Sequence, residues 1–179
     1  MTEPSKKVAL VTGGNRGIGK AIALRLAGNG IEVILTYRSN EQEARDVIAE
    51  IQGSGGRAAA LRLDLSEIER FDLFLDGLNA LLRDAFGTDR IDYLVNNAGF
   101  GKAIPIDDLT EEDFDSFVDV HFKSVVFLTQ KALRRMNDGG GVVFVTAAAD
   151  RYNVPATSAR SWPCCAATKR DGSRASGSR

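Results

Sequence analysis

Histidine, tryptophan, cysteine, methionine and proline are scarce in this 179-residue sequence, with one, one, two, two and four residues respectively. The two cysteines, Cys164 and Cys165, are neighbours near the C-terminus, so they close no useful disulfide loop and supply no zinc-ligand pattern. A disulfide-stapled or zinc-stapled domain is thereby excluded, and a reducing cytoplasm is the compartment that fits. Charge of one sign is missing too. The 23 Lys and Arg residues against 24 Asp and Glu leave a formal charge of −1, which gives no reason to expect nucleic acid or an anionic membrane as a partner. No apolar run approaches a membrane span, and the first one, Val8-Ala9-Leu10-Val11, is too short for a signal-peptide core. What is present is 44% hydrophobic and 26% charged, the composition of one soluble globular core.

That core reads as alternating strands and helices. Val8-Ala9-Leu10-Val11 ends in Thr12-Gly13-Gly14, after which Ile18, Ala21, Ile22 and Leu26 change to helical spacing. Val33-Ile34-Leu35 predicts a second strand, and Ala44, Val47, Ile48 and Ile51 a second helix ending at Gly53. Ala58 to Leu63 reads as strand three, followed by a helix with Phe71, Leu75, Leu78, Leu82 and Phe86 on one face. Ile91 to Val95 is strand four. Thr110-Glu111-Glu112-Asp113 has the form of a capping box, predicting a long helix whose apolar stripe runs Phe114, Phe117, Val118, Val125, Leu128, Ala132 and Met136. Gly139-Gly140-Gly141 stops that helix before a fifth strand at Val142 to Val145. Strands apolar on both faces, each followed by a helix, predict an α/β fold: a three-layer, doubly wound parallel sheet of about five strands.

The glycine-rich segment Thr12-Gly13-Gly14-Asn15-Arg16-Gly17-Ile18-Gly19 falls between the first strand and the first helix. Backbone amides at a helix N-terminus can face a pyrophosphate there, and a Cβ would obstruct both the tight turn and the approach of phosphate. Such a turn alone is weak evidence. Its place after a buried strand, at the start of a repeated βα pattern, points to nucleotide binding.

Thr12-Gly-x-x-x-Gly17-x-Gly19 is similar to the cofactor fingerprint of the short-chain dehydrogenases/reductases, and Asn96-Asn97-Ala98-Gly99 after strand four resembles their second signature. The resemblance covers residues 6–155 and implies a Rossmann fold binding a nicotinamide dinucleotide. It implies cofactor contacts by Gly13, Asn15, Arg16, Gly17, Ile18, Gly19, Asn97, Ala98 and Gly99, with Asp64-Leu65 matching the pair that holds the adenine. The overall pattern is most like the 3-oxoacyl carrier-protein reductases. It further implies a small carbonyl or alcohol substrate, homo-oligomers among full-length members, and two strands beyond the five read here.

Arg38 ends strand two, where such a fold meets the adenosine ribose. An acid there would bond a 2′-hydroxyl and repel a 2′-phosphate, whereas a guanidinium pairs with the phosphate. With Arg16, which resembles the second basic residue of NADP-preferring members, it favours NADP(H) over NAD(H). The lone histidine, His121, lies on the predicted stripe between Val118 and Val125. Two readings stay open: a hydrogen-bonded, semi-buried core residue, or a stand-in for the asparagine that the family usually carries there as part of its proton relay.

The resemblance also implies a catalytic serine, tyrosine and lysine, the lysine four residues after the tyrosine, and these are not found. A phenol, titrating near ~10 when free, needs positive charge beside it to exchange protons near neutrality. No Tyr-x-x-x-Lys occurs: Tyr152 has Ala156 four residues on, the serine position aligns with Ala147, and Cys165-Ala-Ala-Thr-Lys169 offers a thiol in place of the phenol. No catalytic residue is assigned. From Ala156 to Arg179 there is no Val, Ile, Leu, Met or Phe, and five basic residues against one acid give a charge of +4, leaving −5 for residues 1–155. Residues 1–155 are therefore expected to be an incomplete dinucleotide-binding domain. Residues 156–179 are expected to be a disordered basic tail, arising from a frame change or deletion near Ala156.

Overall fold

The computed structural model describes residues 6–146. Five parallel strands, β1 (Val8–Val11), β2 (Glu32–Tyr37), β3 (Ala58–Arg62), β4 (Ile91–Asn96) and β5 (Met136–Phe144), form one sheet in the order β3-β2-β1-β4-β5. The helices are α1 (Gly17–Gly28), α2 (Glu41–Gly53), α3 (Phe71–Leu81), α4 (Glu111–Val118) and α5 (Ser124–Leu133). No helix among the described residues is long and apolar enough to cross a membrane.

Alternation along the strands builds the three layers. Val11, Val33, Leu35 and Val95 pack with Ala23 of α1 and Ala44, Val47 and Ile51 of α2. Their neighbours Leu10, Ile34 and Leu94 point the other way, onto Phe71, Leu75 and Leu78 of α3 and Leu128 and Ala132 of α5. Period-2 alternation with apolar residues on both faces is what a sheet covered on both sides requires. The expected stripe of α3 is buried in full, Leu82 and Phe86 lying in a turn of π-helix (Leu82–Phe86) that continues it.

Three expectations need correction. The first helix turns a different face to the sheet: Gly19 and Ala23 are buried, while Ile18 is 65% exposed and Ala21 is exposed. The cause is steric, because only a residue without Cβ can face the Gly13 carbonyl, and placing Gly19 there rotates Ile18 outward. The long helix after Thr110 is α4 and α5 joined by a π-helical turn, Asp119–Lys123. Its stripe buries only at Leu128 and Ala132, while Phe114 and Val118 are exposed. Met136, assigned to that helix, instead opens β5 opposite Ile91.

The glycines therefore interrupt a strand rather than precede one. Pairing passes from Ile91↔Met136 to Tyr93↔Gly141, so the residues between bulge out of the ladder. Gly139 takes φ +77°, and a Cβ on Gly140 would strike the Asp92 carbonyl. Asn137 anchors the bulge by donating to Asp92 Oδ1 at 3.1 Å.

Candidate cofactor-binding site

Strand order reverses at β1, whose neighbours β2 and β4 lead to helices on opposite faces, and the carboxyl ends of the strands open there into a cleft of about 480 Å³. All twelve residues proposed from the sequence line it: Gly13, Asn15, Arg16, Gly17, Ile18, Gly19, Arg38, Asp64, Leu65, Asn97, Ala98 and Gly99. They come from four strand ends far apart in sequence.

Thr12 ties two of those ends together. It is 1% exposed, and its Oγ1 accepts the Asn97 amide at 2.9 Å and the Ala98 amide at 3.0 Å while its own proton goes to the Val95 carbonyl at 3.3 Å. Asn97 answers with its side chain, Nδ2 donating to the carbonyls of Thr12 at 2.9 Å and Gly13 at 3.2 Å. Thr36 fixes the turn from the other side, its Oγ1 accepting from the Gly13 amide at 3.1 Å. A Cβ at Gly19 would collide with the Gly13 carbonyl and come within 2.5 Å of Asn97 Nδ2. The glycine turn and the segment after β4 are thus one hydrogen-bonded unit.

Above it the cleft is shaped for an anion. Gly17 has φ +55°, and nothing lies within 4 Å of where its Cβ would be. No side chain caps α1, whose first residues line the cleft, so its leading amides remain available to a ligand. Arg16 and Arg38 line the same space and take part in none of the ion pairs among the described residues. Asp64 is partly committed, since its Oδ1 accepts the Ser66 amide at 3.0 Å and the Ser66 hydroxyl at 2.7 Å, an Asx turn that sets the loop after β3.

These features fit a phosphorylated dinucleotide, and the family comparison agrees with the geometry: a model described as short chain dehydrogenase matches residues 7–161. The chain belongs to the short-chain dehydrogenase family. A hydroxynaphthalene reductase-like protein, Arp2 of Metarhizium brunneum, is 37% identical over 151 residues, which are 83% of this chain and 54% of that protein. Among solved structures, the promiscuous reductase LugOII, described as catalysing keto-reduction at C1 during lugdunomycin biosynthesis, matches with a TM-score of 0.77 at 38% identity, over 82% of this chain and 61% of its own. The landomycin C-6 ketoreductase LanV with bound NADP and rabelomycin matches with a TM-score of 0.76 at 37% identity, over 79% and 58%. The chain thus spans little more than half the length of these relatives.

Of the two readings of His121 made from sequence alone, the structure removes the core one. The residue is exposed, within the π-helical turn, so it is no core residue. Its Nε2 lies 2.7 Å from the Phe100 carbonyl oxygen and 3.3 Å from the Phe100 amide, donating to the first when protonated and accepting from the second when not. The ring also fills the place where a Gly99 side chain would stand, 2.6 Å from that Cβ position. It therefore braces the loop that carries Asn97, Ala98 and Gly99.

Sequence reasoning missed Thr36, Tyr37, Ser39, Asn40, Glu43, Leu63, Phe100 and Val120, all of which line the cleft. A signal existed for Thr36, Tyr37, Ser39 and Asn40: they end β2 or lie in the short segment joining it to α2, so they crowd the place Arg38 occupies. Phe100 and Val120 had none, because the π-helical turn that brings Val120 near the cleft follows no pattern in the residues. The positions weighed against the family's catalytic pattern and given no role, Ala147, Tyr152, Cys165 and Lys169, and the boundary at residue 155, lie outside the described residues.

Proposed function

We propose that residues 6–146 are the NADP(H)-binding part of a short-chain reductase acting on a small carbonyl or alcohol. The carrying observation is that Arg16 and Arg38, apart in sequence and without ion pairs among the described residues, line one cleft with an uncapped helix N-terminus and a glycine turn. Two guanidinium groups beside the expected adenosine ribose favour a 2′-phosphate over a 2′-hydroxyl. LanV, whose structure holds NADP, supports the same reading.

When bound, the nicotinamide supplies or accepts a hydride. The chain's own residues hold and orient it: the leading amides of α1 take the pyrophosphate, Arg16 and Arg38 the 2′-phosphate, and Asp64 with Leu65 the adenine. Asn97, Ala98 and Gly99 form the wall that the rest of the dinucleotide follows. Proton delivery to a carbonyl oxygen is not provided for, because no Tyr-x-x-x-Lys occurs in the sequence. That absence favours a second reading of these 179 residues, a nucleotide-binding module without turnover.

Equilibrium titration with NADPH and NADH, followed by nicotinamide fluorescence, tests the proposal. NADPH binding at least about tenfold tighter is expected from a charge-assisted contact worth ~1.5–3 kcal/mol, and Arg38→Ala should remove most of the difference. Equal affinity in the unmutated chain would refute the assignment.

A further inference from the structure

One acid stands inside this phosphate-suited cleft. Glu43, in the first turn of α2, lines it together with Arg16 and Arg38. Its position is held twice. The Asn40 side chain caps α2 by accepting the Glu43 amide at 3.3 Å, and the Glu43 carboxylate accepts a 2.6 Å hydrogen bond from Asn15 Nδ2 in the glycine turn. Glu43 is half-buried there, joined to a residue 28 positions away. A carboxylate near a helix N-terminus is ordinarily explained by the macrodipole, but Glu41 already occupies that first turn, where it pairs with Arg45 at 2.6 Å. The macrodipole alone gives Glu43 no reason to bend back onto Asn15.

We propose that Glu43 is a specificity-determining residue of the cofactor cleft. Held by Asn15, its carboxylate opposes a 2′-phosphate seated by Arg16 and Arg38 and accepts a hydrogen bond from a 2′-hydroxyl, so the cleft distinguishes NADPH from NADH less sharply than its two arginines alone would. The inference rests on the reading of the cleft as a dinucleotide site. Like charges sharing one partly hydrated cleft repel, whereas a neutral hydroxyl can donate a hydrogen bond to a carboxylate. Glu43→Gln keeps an oxygen acceptor for Asn15 and removes the charge.

The test uses the full chain and a pair of ligands that differ only in the 2′-phosphate, adenosine 2′,5′-bisphosphate and 5′-AMP, titrated by calorimetry. Glu43→Gln should tighten the bisphosphate about three- to tenfold, leave 5′-AMP within about twofold, and lose its advantage as salt is raised. If both ligands move together, Glu43 only braces Asn15, and the proposal is overturned; it is overturned equally if neither moves. Should glutamine at position 43 loosen the fold, as thermal melting would reveal, Asn15→Ser supplies the second route, because it frees the carboxylate to turn into solvent and should shift the ratio in the same direction. The broader cofactor assignment fails separately, when the unmutated chain takes NADH as tightly as NADPH, whatever Glu43→Gln does to the ratio. Failure of the parent and both variants to bind any of these ligands overturns both.

Discussion

Thr12 and Asn97 exchange two hydrogen bonds across 85 positions of sequence: the Thr12 hydroxyl takes the Asn97 amide and the Thr12 carbonyl takes the Asn97 side chain, a donor that the Gly13 carbonyl shares. The glycine turn after β1 and the wall after β4 cannot move independently while this holds. Thr12→Val removes the hydroxyl while filling its volume, leaving the Asn97 and Ala98 amides without their acceptor. Stability should fall by about 1–3 kcal/mol, the cost of stranding two part-buried donors, read from the urea midpoint at unchanged slope. Asn97→Ala should cost less and weaken cofactor binding more, because it frees the turn without stranding an amide.

Gly17 and Gly19 should separate folding from binding. Gly19→Ala drives a Cβ into the Gly13 carbonyl, a backbone atom that cannot rotate away, and should destabilise the fold and abolish cofactor binding together. Gly17→Ala meets no neighbour and carries only the cost of φ +55°, about 1–2 kcal/mol, yet projects a methyl group into the cleft. Its thermal midpoint should fall by a few degrees while NADPH binding drops below detection. Retained binding in Gly17→Ala would mean that the pyrophosphate does not approach this turn.

The strand and helix order was legible in the sequence because it depends on short-range pattern. The twelve residues that were expected at the site and line the cleft came chiefly from the two segments that resemble the family signatures, with Arg38 read from its place at the end of strand two. Errors arose where one tertiary contact outweighed pattern. Ile18 looks like a core residue by spacing, but the contact of Gly19 with Gly13 rotates α1 and leaves Ile18 lining the cleft. Met136 looks helical by spacing, but pairing with Ile91 claims it for β5, and the glycines after it absorb the extra residues. Glu43 was invisible as a site residue, since its partner Asn15 becomes its neighbour only after α1 and α2 pack side by side.

Exposed apolar residues cluster on the last elements described: Phe114, Phe122, Val126, Phe127 and Leu133 on α4, α5 and the turn between them, with Val143 and Phe144 on β5. No described strand pairs with the outer edge of β5. Apolar surface on this scale marks either an interface or an aggregation hazard. The chain should bind a hydrophobic dye in its native state and associate with rising concentration in analytical ultracentrifugation. Phe122→Ser combined with Phe127→Ser should reduce both effects without lowering the melting temperature, since neither side chain belongs to the buried core. A dye-silent monomer at high concentration would contradict this.

Asp113 links α4 to the loop before it. Its carboxyl is held below the usual carboxylate range, first by the Lys102 ammonium at 2.7 Å and then by the Thr110 hydroxyl at 3.0 Å. A depressed folded-state value means that the interaction is complete above the unfolded value of ~3.9 and is lost as pH falls through the lower, folded one. The stability advantage of the parent over Asp113→Asn should therefore be constant from neutrality to about pH 5 and vanish in stronger acid. Thr110→Ala, which also removes the acceptor for the Asp113 amide, should cost about 1 kcal/mol. Urea titrations at several pH values measure both.

The 179 residues as they stand should bind NADPH and yet fail to reduce ketones at a useful rate. Binding and chemistry draw on different parts of the molecule. On the function proposed, the cleft residues hold a dinucleotide through amides, two arginines and the Thr12–Asn97 unit, but hydride arrival places negative charge on the carbonyl oxygen, and that charge needs a positioned proton donor. Tyr37 has Glu41 four residues on, Tyr93 has Asn97 and Tyr152 has Ala156, so no tyrosine is followed by a lysine at the family's spacing. His121 bonds to the Phe100 backbone through Nε2. Loss of a positioned general acid removes about 10²–10⁴-fold of rate. NADPH oxidation should be measured with a panel of ketones for this chain and for a version whose residues after Pro155 are rebuilt to supply Tyr-x-x-x-Lys and two further βα units. Turnover confined to the rebuilt protein is the expected result. Turnover by the unmodified chain that disappears in Cys165→Ala or Lys169→Ala would establish a working active site in the last residues, with the thiol taking the place of the phenol.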